Sequence, residues 1–184
     1  MDKTIRSSLN NIYSEERELQ HDAYIAMLKI TDEPVNWAYE IWDEMVLALG
    51  HKNNRVRSIA SQILINLAKS DPEKRILNEF DVLLEVTKDK RFVTARHCLQ
   101  AIWKIGLAGD EQLTMLLKGL ETRFRECSEE KNCTLIRSDI IQGLRNLIGK
   151  QPQENISLKA QELIELETDL KYRKKYERVW RSGN

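Results

Sequence analysis

The chain has 184 residues, of which 41% are hydrophobic and 32% charged, so it can bury one sizeable core and has the composition of an ordinary folded protein. Basic and acidic residues number 29 each, and this zero net charge excludes a general attraction of the whole protein to nucleic acid. Seven glycines and three prolines are too few for many tight turns, which favours helices over short strands.

Apolar spacing and stop signals predict about nine helices separated by short polar breaks, and so an all-α fold. Pro34 and the Asp71-Pro72 pair mark helix starts, while Gly50 and Gly109 mark breaks. In chain order the predicted helices cover about 2–13, 14–30, 34–50, 53–69, a segment from 71, 89–107, 110–127, 132–149 and 154–170. A charged tail follows.

An internal repeat relates the even-numbered helices. The segment 56–67 aligns without gaps on 136–147, and Arg, Ser, Gln, Leu, Asn and Leu coincide. The segment 95–106 lies midway, at offsets of 39 and 41 residues, and keeps the arginine and the apolar periodicity. The repeat period is therefore about 40 residues.

This pattern resembles the HEAT repeat, in which an apolar residue and an arginine open the second helix of each pair. Asn53-Asn54 and Asp89-Lys90 resemble the polar turn that introduces that helix. The resemblance implies a right-handed α-α superhelix, an α-solenoid, forming a single domain over 1–170. Its repeats would be 34–70, 71–107 and 109–150, with 1–33 as a degenerate repeat or cap, 153–170 as a C-terminal cap, and 171–184 as a basic aromatic tail.

Large apolar side chains are expected to fill the layers between stacked helix pairs, because a single pair cannot bury its own apolar stripe. The residues expected there are Trp37, Trp42, Phe80, Trp103 and Phe124.

The first and second helices of the predicted pairs carry net charges of opposite sign. In HEAT arrays the second helices line the concave side, and here the segments 53–70, 89–107 and 132–150 have net charges of +3, +3 and +2. The first helices, over 34–50, 71–88 and 109–131, have net charges of −3, −2 and −2. A basic concave face would attract an acidic protein surface or a phosphate backbone.

Basic and hydrogen-bonding residues of the second helices are therefore the expected partner-binding positions: Arg57, Arg96, His97, Gln100, Lys104, Arg137, Gln142 and Arg145. The three repeated arginines, at 57, 96 and 137, have an equally weighted alternative. In HEAT repeats this arginine often pairs with a polar turn residue of a neighbouring repeat. Lys104 and Arg145 are the stronger candidates for contact with a ligand.

The tail carries a second basic signal, because residues 171–181 contain six basic residues and one acidic residue. Cations interleaved with aromatic rings are able to contact phosphates and stack on bases. The spacing of Tyr172, Tyr176, Val179 and Trp180 favours the alternative, a helical extension that packs on the end of the domain.

Motifs for catalysis, metals, cofactors or membrane insertion are not found in the sequence. Cys98, Cys127 and Cys133 are odd in number and lie in helical patterns, so reduced thiols are expected. No secretory signal opens the sequence, which predicts a cytoplasmic protein.

A non-catalytic scaffold or adaptor for an acidic protein is the function that these features favour. The first alternative is a HEAT-like nucleic-acid-binding protein. A less favoured one is an enzyme similar to the alkylpurine DNA glycosylases, for which Asp139 and Trp103 would be the candidate acid and aromatic. A resemblance to the HEAT-like lyases that act on bilin attachment rests on the repeat alone.

Overall fold

A computed structural model describes residues 1–182, which form ten α-helices joined by short turns and 3-10 segments, with no strand in that range. The predicted all-α fold is confirmed, and the predicted count of about nine helices is one too few. The helices are α1 Lys3–Asn11, α2 Arg17–Thr31, α3 Ala38–Ala48, α4 Asn54–Leu67, α5 Ile76–Val86, α6 Phe92–Ala101, α7 Asp110–Glu126, α8 Cys133–Lys150, α9 Glu154–Glu165 and α10 Leu170–Arg181.

Side-chain caps fix several helix starts. Asp2, Asn53 and Asp169 each accept a hydrogen bond from a backbone N–H in the first turn of α1, α4 and α10. α5 begins later than the Asp71-Pro72 signal predicts, because a turn comes between them. Asp71 still acts on this helix, since its Oδ2 accepts a hydrogen bond from the Ile76 N–H at 2.8 Å.

The described chain divides into two compact units, Met1–Cys98 and Leu99 onward. In the first unit α4 packs against α2, α3 and α5, and ten of its fourteen residues are buried. Trp37, Trp42 and Phe80 are buried, as predicted. α4 is therefore the central element of this unit.

In the second unit a 3-10 helix, Ile102–Ala108, packs against α7 and α8, and α8 contacts α9 and α10. Phe124 is buried, as predicted. The prediction of a core position is wrong for Trp103, which is partly exposed. Gly143 of α8 has no side chain, and a Cβ there would lie only 3.4 Å from the Trp103 Cβ. Trp103 therefore packs on the buried Gly143 while part of its ring stays exposed.

The tenth helix, α10, occupies most of the predicted tail. It packs against α8 and α9, and Tyr176 on its inner face is completely buried. Tyr172, Val179 and Trp180 are partly exposed. The structure thus shows a packed helical extension over Leu170–Arg181, and residues 183–184 of the predicted tail lie outside the described residues.

The cysteines differ from the prediction of three reduced thiols. Cys127 and Cys133 form a disulfide that closes the turn between α7 and α8, so the prediction is wrong for this pair. Cys98 is a buried free thiol. Among residues 1–182, no helix is long and apolar enough to cross a bilayer.

Candidate partner-binding groove

A groove of about 520 Å³ lies in the first unit, between the opening turns of three even-numbered helices. α2 contributes Arg17 and His21, α4 contributes Arg55, and α6 contributes Val93 and His97. These helices would be the second helices of successive pairs. The groove therefore lies on the side that the repeat pattern predicts to be concave.

The groove is positive at its lining. Arg17 and Arg55 are both exposed, and none of the described residues that line the groove is acidic. Glu18 and Asp22 are exposed on the same helix as Arg17 but do not line the groove. An anionic group would meet two guanidinium groups there without a competing carboxylate in the lining.

Apolar surface accompanies this charge. Val93 is 63% exposed at the groove, and Ile59 and Tyr24 contribute further apolar surface to its lining. Pockets that combine apolar walls with a few placed polar groups are typical binding sites. The groove can hold an apolar side chain next to an anionic one.

Hydrogen bonds between α4 and α6 hold the walls of the groove in register. The Asn54 Nδ2 donates to the Thr94 Oγ1 at 3.2 Å, and the Thr94 hydroxyl donates to the Asn54 carbonyl oxygen at 3.1 Å. Ser58 Oγ lies 3.0 Å from His97 Nδ1. These pairs are 40 and 39 residues apart in the chain, which matches the repeat period.

α2 is joined to α4 by the same kind of contact. The Tyr24 hydroxyl donates to Gln62 Oε1 at 3.2 Å, across 38 residues of chain. The hydroxyl end of Tyr24 is thereby held while its ring forms part of the groove lining. These contacts fix the positions of the three helices, which limits the backbone entropy lost when a ligand binds.

Arg57 has a different role from the one predicted for a partner-binding residue. Its Nε and Nη2 donate to the two carboxylate oxygens of Asp89, and its Nη1 donates to the carbonyl oxygens of His51 and Lys52. The Arg57 and Asp89 side chains are only 11% and 7% exposed. This residue joins the turn before α4 to the turn before α6, and the structural alternative is favoured.

The ionisation of this pair reflects the same contacts. The hydrogen bond that Arg57 donates to Asp89 is the main cause that raises the pKa of Arg57, against a smaller opposing effect of burial. Burial alone would raise the pKa of Asp89, but the hydrogen bond from Arg57, another from the Arg91 N–H and nearby positive charge together lower it. Both groups are therefore held in their charged forms.

Arg137 repeats this arrangement in the second unit. Its Nη1 donates to Glu167 Oε2 at 2.9 Å, its Nε donates to the Phe124 carbonyl oxygen at 3.1 Å, and its guanidinium lies over the Phe124 ring at 4.7 Å. Arg137 and Glu167 are largely buried. Arg137 is therefore also an internal link.

The remaining predicted positions are spread over both units. Arg96 is partly exposed in the first unit, and Lys104 and Arg145 are partly exposed in the second, so a ligand-facing role for the last two stays a prediction. Gln100 donates to Asp139 Oδ1 at 3.2 Å, and Gln142 donates to Asn146 Oδ1 at 2.9 Å. Of the eight predicted residues, only His97 lines the groove.

Sequence reasoning missed Arg17, His21, Tyr24, Arg55 and Val93. The alignment drew attention to the repeated Arg57, whereas the groove uses Arg55, two positions earlier on the helix. α2 lies in the segment that the repeat pattern treats as a degenerate repeat or cap. Net charge does not indicate its role either, because residues 14–31 contain two basic and four acidic residues, a net charge of −2.

The candidate acid of the glycosylase alternative, Asp139, is buried. Asp139 is 8% exposed and accepts the hydrogen bond from Gln100. Among the residues that the structure describes, no group of three His, Cys, Asp or Glu side chains is placed to hold a metal ion.

Comparison with known proteins bears on the fold alone. No protein-family model and no curated protein matches the chain. Solved structures that resemble it include three crystal structures of engineered proteins from a structural genomics consortium. The first shares 14% identity at a TM-score of 0.60 and covers 98% of this chain and 80% of its own.

The other two engineered proteins share 14% and 16% identity, each at a TM-score of 0.53. They cover 97% of this chain, and 96% and 47% of their own chains. At this level of identity the likeness supports the all-helical fold and carries no functional assignment.

Proposed function

We propose that this chain is a HEAT-type α-solenoid that acts as a non-catalytic adaptor, and that the groove between α2, α4 and α6 holds an acidic segment of a partner protein. The observation that carries the proposal is the groove lining, where Arg17 and Arg55 flank exposed apolar surface and no carboxylate takes part. Electrostatic complementarity of this kind acts mainly on association rate and on specificity.

The chain separation of contacts across the groove supports the HEAT-type assignment. Residues of α2, α4 and α6 that hydrogen-bond across the groove are 38, 39 or 40 residues apart, as expected when equivalent helices of successive repeats lie side by side. The buried Arg57–Asp89 pair supports it as well, since it matches the arginine-to-turn link implied by the resemblance.

A protein segment fits this groove better than a phosphate backbone does. The exposed Val93 and the partly exposed Tyr24 ring offer apolar contact, which an extended peptide can use by alternating apolar and acidic side chains. A nucleic-acid backbone has no equivalent apolar group to place there. We therefore expect an acidic peptide with interspersed Leu or Phe to bind.

The test uses a fluorescein-labelled peptide that alternates Glu with Leu, with the full chain as the receptor. Reversing the groove charge with Arg17→Glu and Arg55→Glu should lower the association rate by about tenfold or more, because the steering field changes sign. Stopped-flow anisotropy at low ionic strength measures this rate.

The matched control is Lys29→Glu with Lys52→Glu. Both lysines are exposed, they lie on or next to α2 and α4, and neither lines the groove, so the change in net charge is the same. This variant should keep most of the association rate. If both variants lose the same fraction of the association rate, only overall charge steers the peptide, and the proposal is contradicted.

A further inference from the structure

The outer face of α10 carries a continuous row of cations. Lys171, Lys174, Lys175, Arg178 and Arg181 follow one another at spacings of three or four residues, with Lys174 and Lys175 side by side, which places them on one side of an α-helix. Lys175 is partly exposed and the other four are exposed. Over ten residue steps the row is about 15 Å long.

The opposite face of α10 is fixed to the second unit. Tyr176 is completely buried, and its hydroxyl lies 3.3 Å from the Thr134 carbonyl oxygen on α8. Arg173 donates to the carbonyl oxygens of Glu165 and Glu167 at 2.9 Å each, and Asp169 caps the first turn. The row of cations therefore has a fixed position and is not part of a loose tail.

Opposing charge on this helix is slight. Glu177 is the one acidic residue between 171 and 182; it lines the cleft formed with α9, and it also lines a second surface pocket with Lys174, Arg178 and Arg181. Arg181 approaches Glu177 only to 3.8 Å, with both side chains open to solvent. A pair of this kind contributes little, so the row presents most of its charge outward.

We propose that this face of α10 binds the phosphate backbone of a nucleic acid without regard to sequence. Successive residues of an α-helix are about 100° apart around its axis, so these five cations fall within roughly a third of its circumference. A grooved polyanion can reach both edges of such an arc, and a major groove is wide enough to admit an α-helix. Exposed apolar surface beside the row is confined to the start of the helix, at Leu170, whereas the cations continue to Arg181, which suits a polyanion that contacts several of them at once.

Membrane attachment is the less favoured reading of the same charges. A helix that lies in a bilayer interface inserts an apolar face, but the apolar side of α10, with Tyr176 at its centre, is already packed on α8. A flat anionic surface would also meet only the middle of the cationic arc. This proposal concerns the second unit and does not depend on the groove of the first.

The test measures binding of the full chain to a fluorescein-labelled random duplex of about 20 base pairs, with salt raised from about 50 to about 200 mM. In the variant Lys174→Gln with Arg178→Gln, affinity should fall at each salt concentration. The slope of log affinity against log salt should become shallower by about 1.8, because each lost phosphate contact removes about 0.9.

Two matched variants complete the experiment. Lys29→Gln with Lys52→Gln removes the same charge from the first unit and should leave the slope unchanged. The groove variant Arg17→Glu with Arg55→Glu should keep the slope of the native chain, so failure of the groove proposal and failure of this one are distinguishable. Circular dichroism should show native helix content for every variant.

Several results would overturn the proposal. One is a duplex slope that is the same for the α10 variant and the native chain, and another is an equal change in slope for the first-unit control. Binding to phosphatidylserine-containing vesicles in the absence of any binding to duplex or single-stranded DNA would assign the face to membranes instead.

Discussion

Arg57 and Asp89 face each other through two parallel hydrogen bonds, Nε to Oδ2 at 2.6 Å and Nη2 to Oδ1 at 2.9 Å, across 32 residues of chain. The same arginine also closes the turn before α4 by donating to the His51 carbonyl oxygen at 2.7 Å. One nearly buried side chain thus joins the starts of two successive even-numbered helices. The pair has measurable consequences for stability.

Removing either partner should be costly, because it leaves the other charge buried without compensation. We expect Arg57→Met and Asp89→Asn each to lower the free energy of unfolding by about 3 kcal/mol, and the double variant to cost much less than the sum. Urea unfolding of the four proteins measures the coupling energy. Arg6→Met, which breaks the more exposed ion pair with Glu44, is the control and should cost about 1 kcal/mol or less. Additive losses at Arg57 and Asp89 would show that the pair does not act as a unit.

Low pH should weaken the Arg57–Asp89 pair within a defined range of pH. Since the folded-state pKa of Asp89 is lowered, the unfolded chain binds a proton first, so the stabilisation is present above the unfolded value of about 3.9 and is lost as pH falls through the folded value. The difference in unfolding free energy between native protein and Asp89→Asn should stay constant from neutral pH down to about pH 5 and shrink below about pH 4. In the Arg57→Met background Asp89 lacks its cation, and Asp89→Asn should become stabilising at neutral pH. If the difference in unfolding free energy between the native protein and Asp89→Asn does not change between about pH 5 and about pH 3, the ionised Asp89 does not stabilise the fold.

The buried Arg57–Asp89 pair and the groove lined by Arg55 differ in how far the sequence could predict them. Helix type and the position of Phe124 follow from apolar periodicity, which reports burial directly. Arg57 and Arg55 are both basic and only two residues apart, yet one is enclosed by Asp89 and the other is exposed at the groove. That difference depends on contacts between residues about 30 to 40 positions apart, and local pattern does not determine them.

The end of the chain could be predicted in part. The spacing of Tyr172, Tyr176, Val179 and Trp180 favours a helical extension that packs on the domain, and α10 is such a helix. The spacing does not show which of these four side chains is enclosed. Only Tyr176 is buried, because it lies against α8, where its hydroxyl meets the Thr134 carbonyl oxygen across 42 residues of chain.

The cysteines should differ in reactivity. Burial raises the pKa of the Cys98 thiol to about 12, and Cys127 is bonded to Cys133, so an alkylating reagent at neutral pH should label none of them in the native protein. Denaturation without reductant should expose one reactive thiol, and denaturation with reductant should expose three. Mass spectrometry of the alkylated peptides identifies each site. Three labelled cysteines in unreduced, denatured protein would show that Cys127 and Cys133 are reduced thiols.

Two glycines of the second unit should respond oppositely to the same substitution. A Cβ at Gly106 would lie 2.9 Å from Leu116 Cδ2 and 3.0 Å from Leu147 Cδ2, so Gly106→Ala forces the ends of these two core side chains to move. We expect a loss of about 1–3 kcal/mol in the free energy of unfolding, as for other overpacked core positions. Gly149 lies near the end of α8, where a Cβ would meet nothing within 4 Å, so Gly149→Ala should gain up to about 1 kcal/mol from helix propensity. Urea titration of both variants tests the pair, and a Gly106→Ala protein as stable as the native chain would mean that the 3-10 segment does not pack this closely on Leu116 and Leu147.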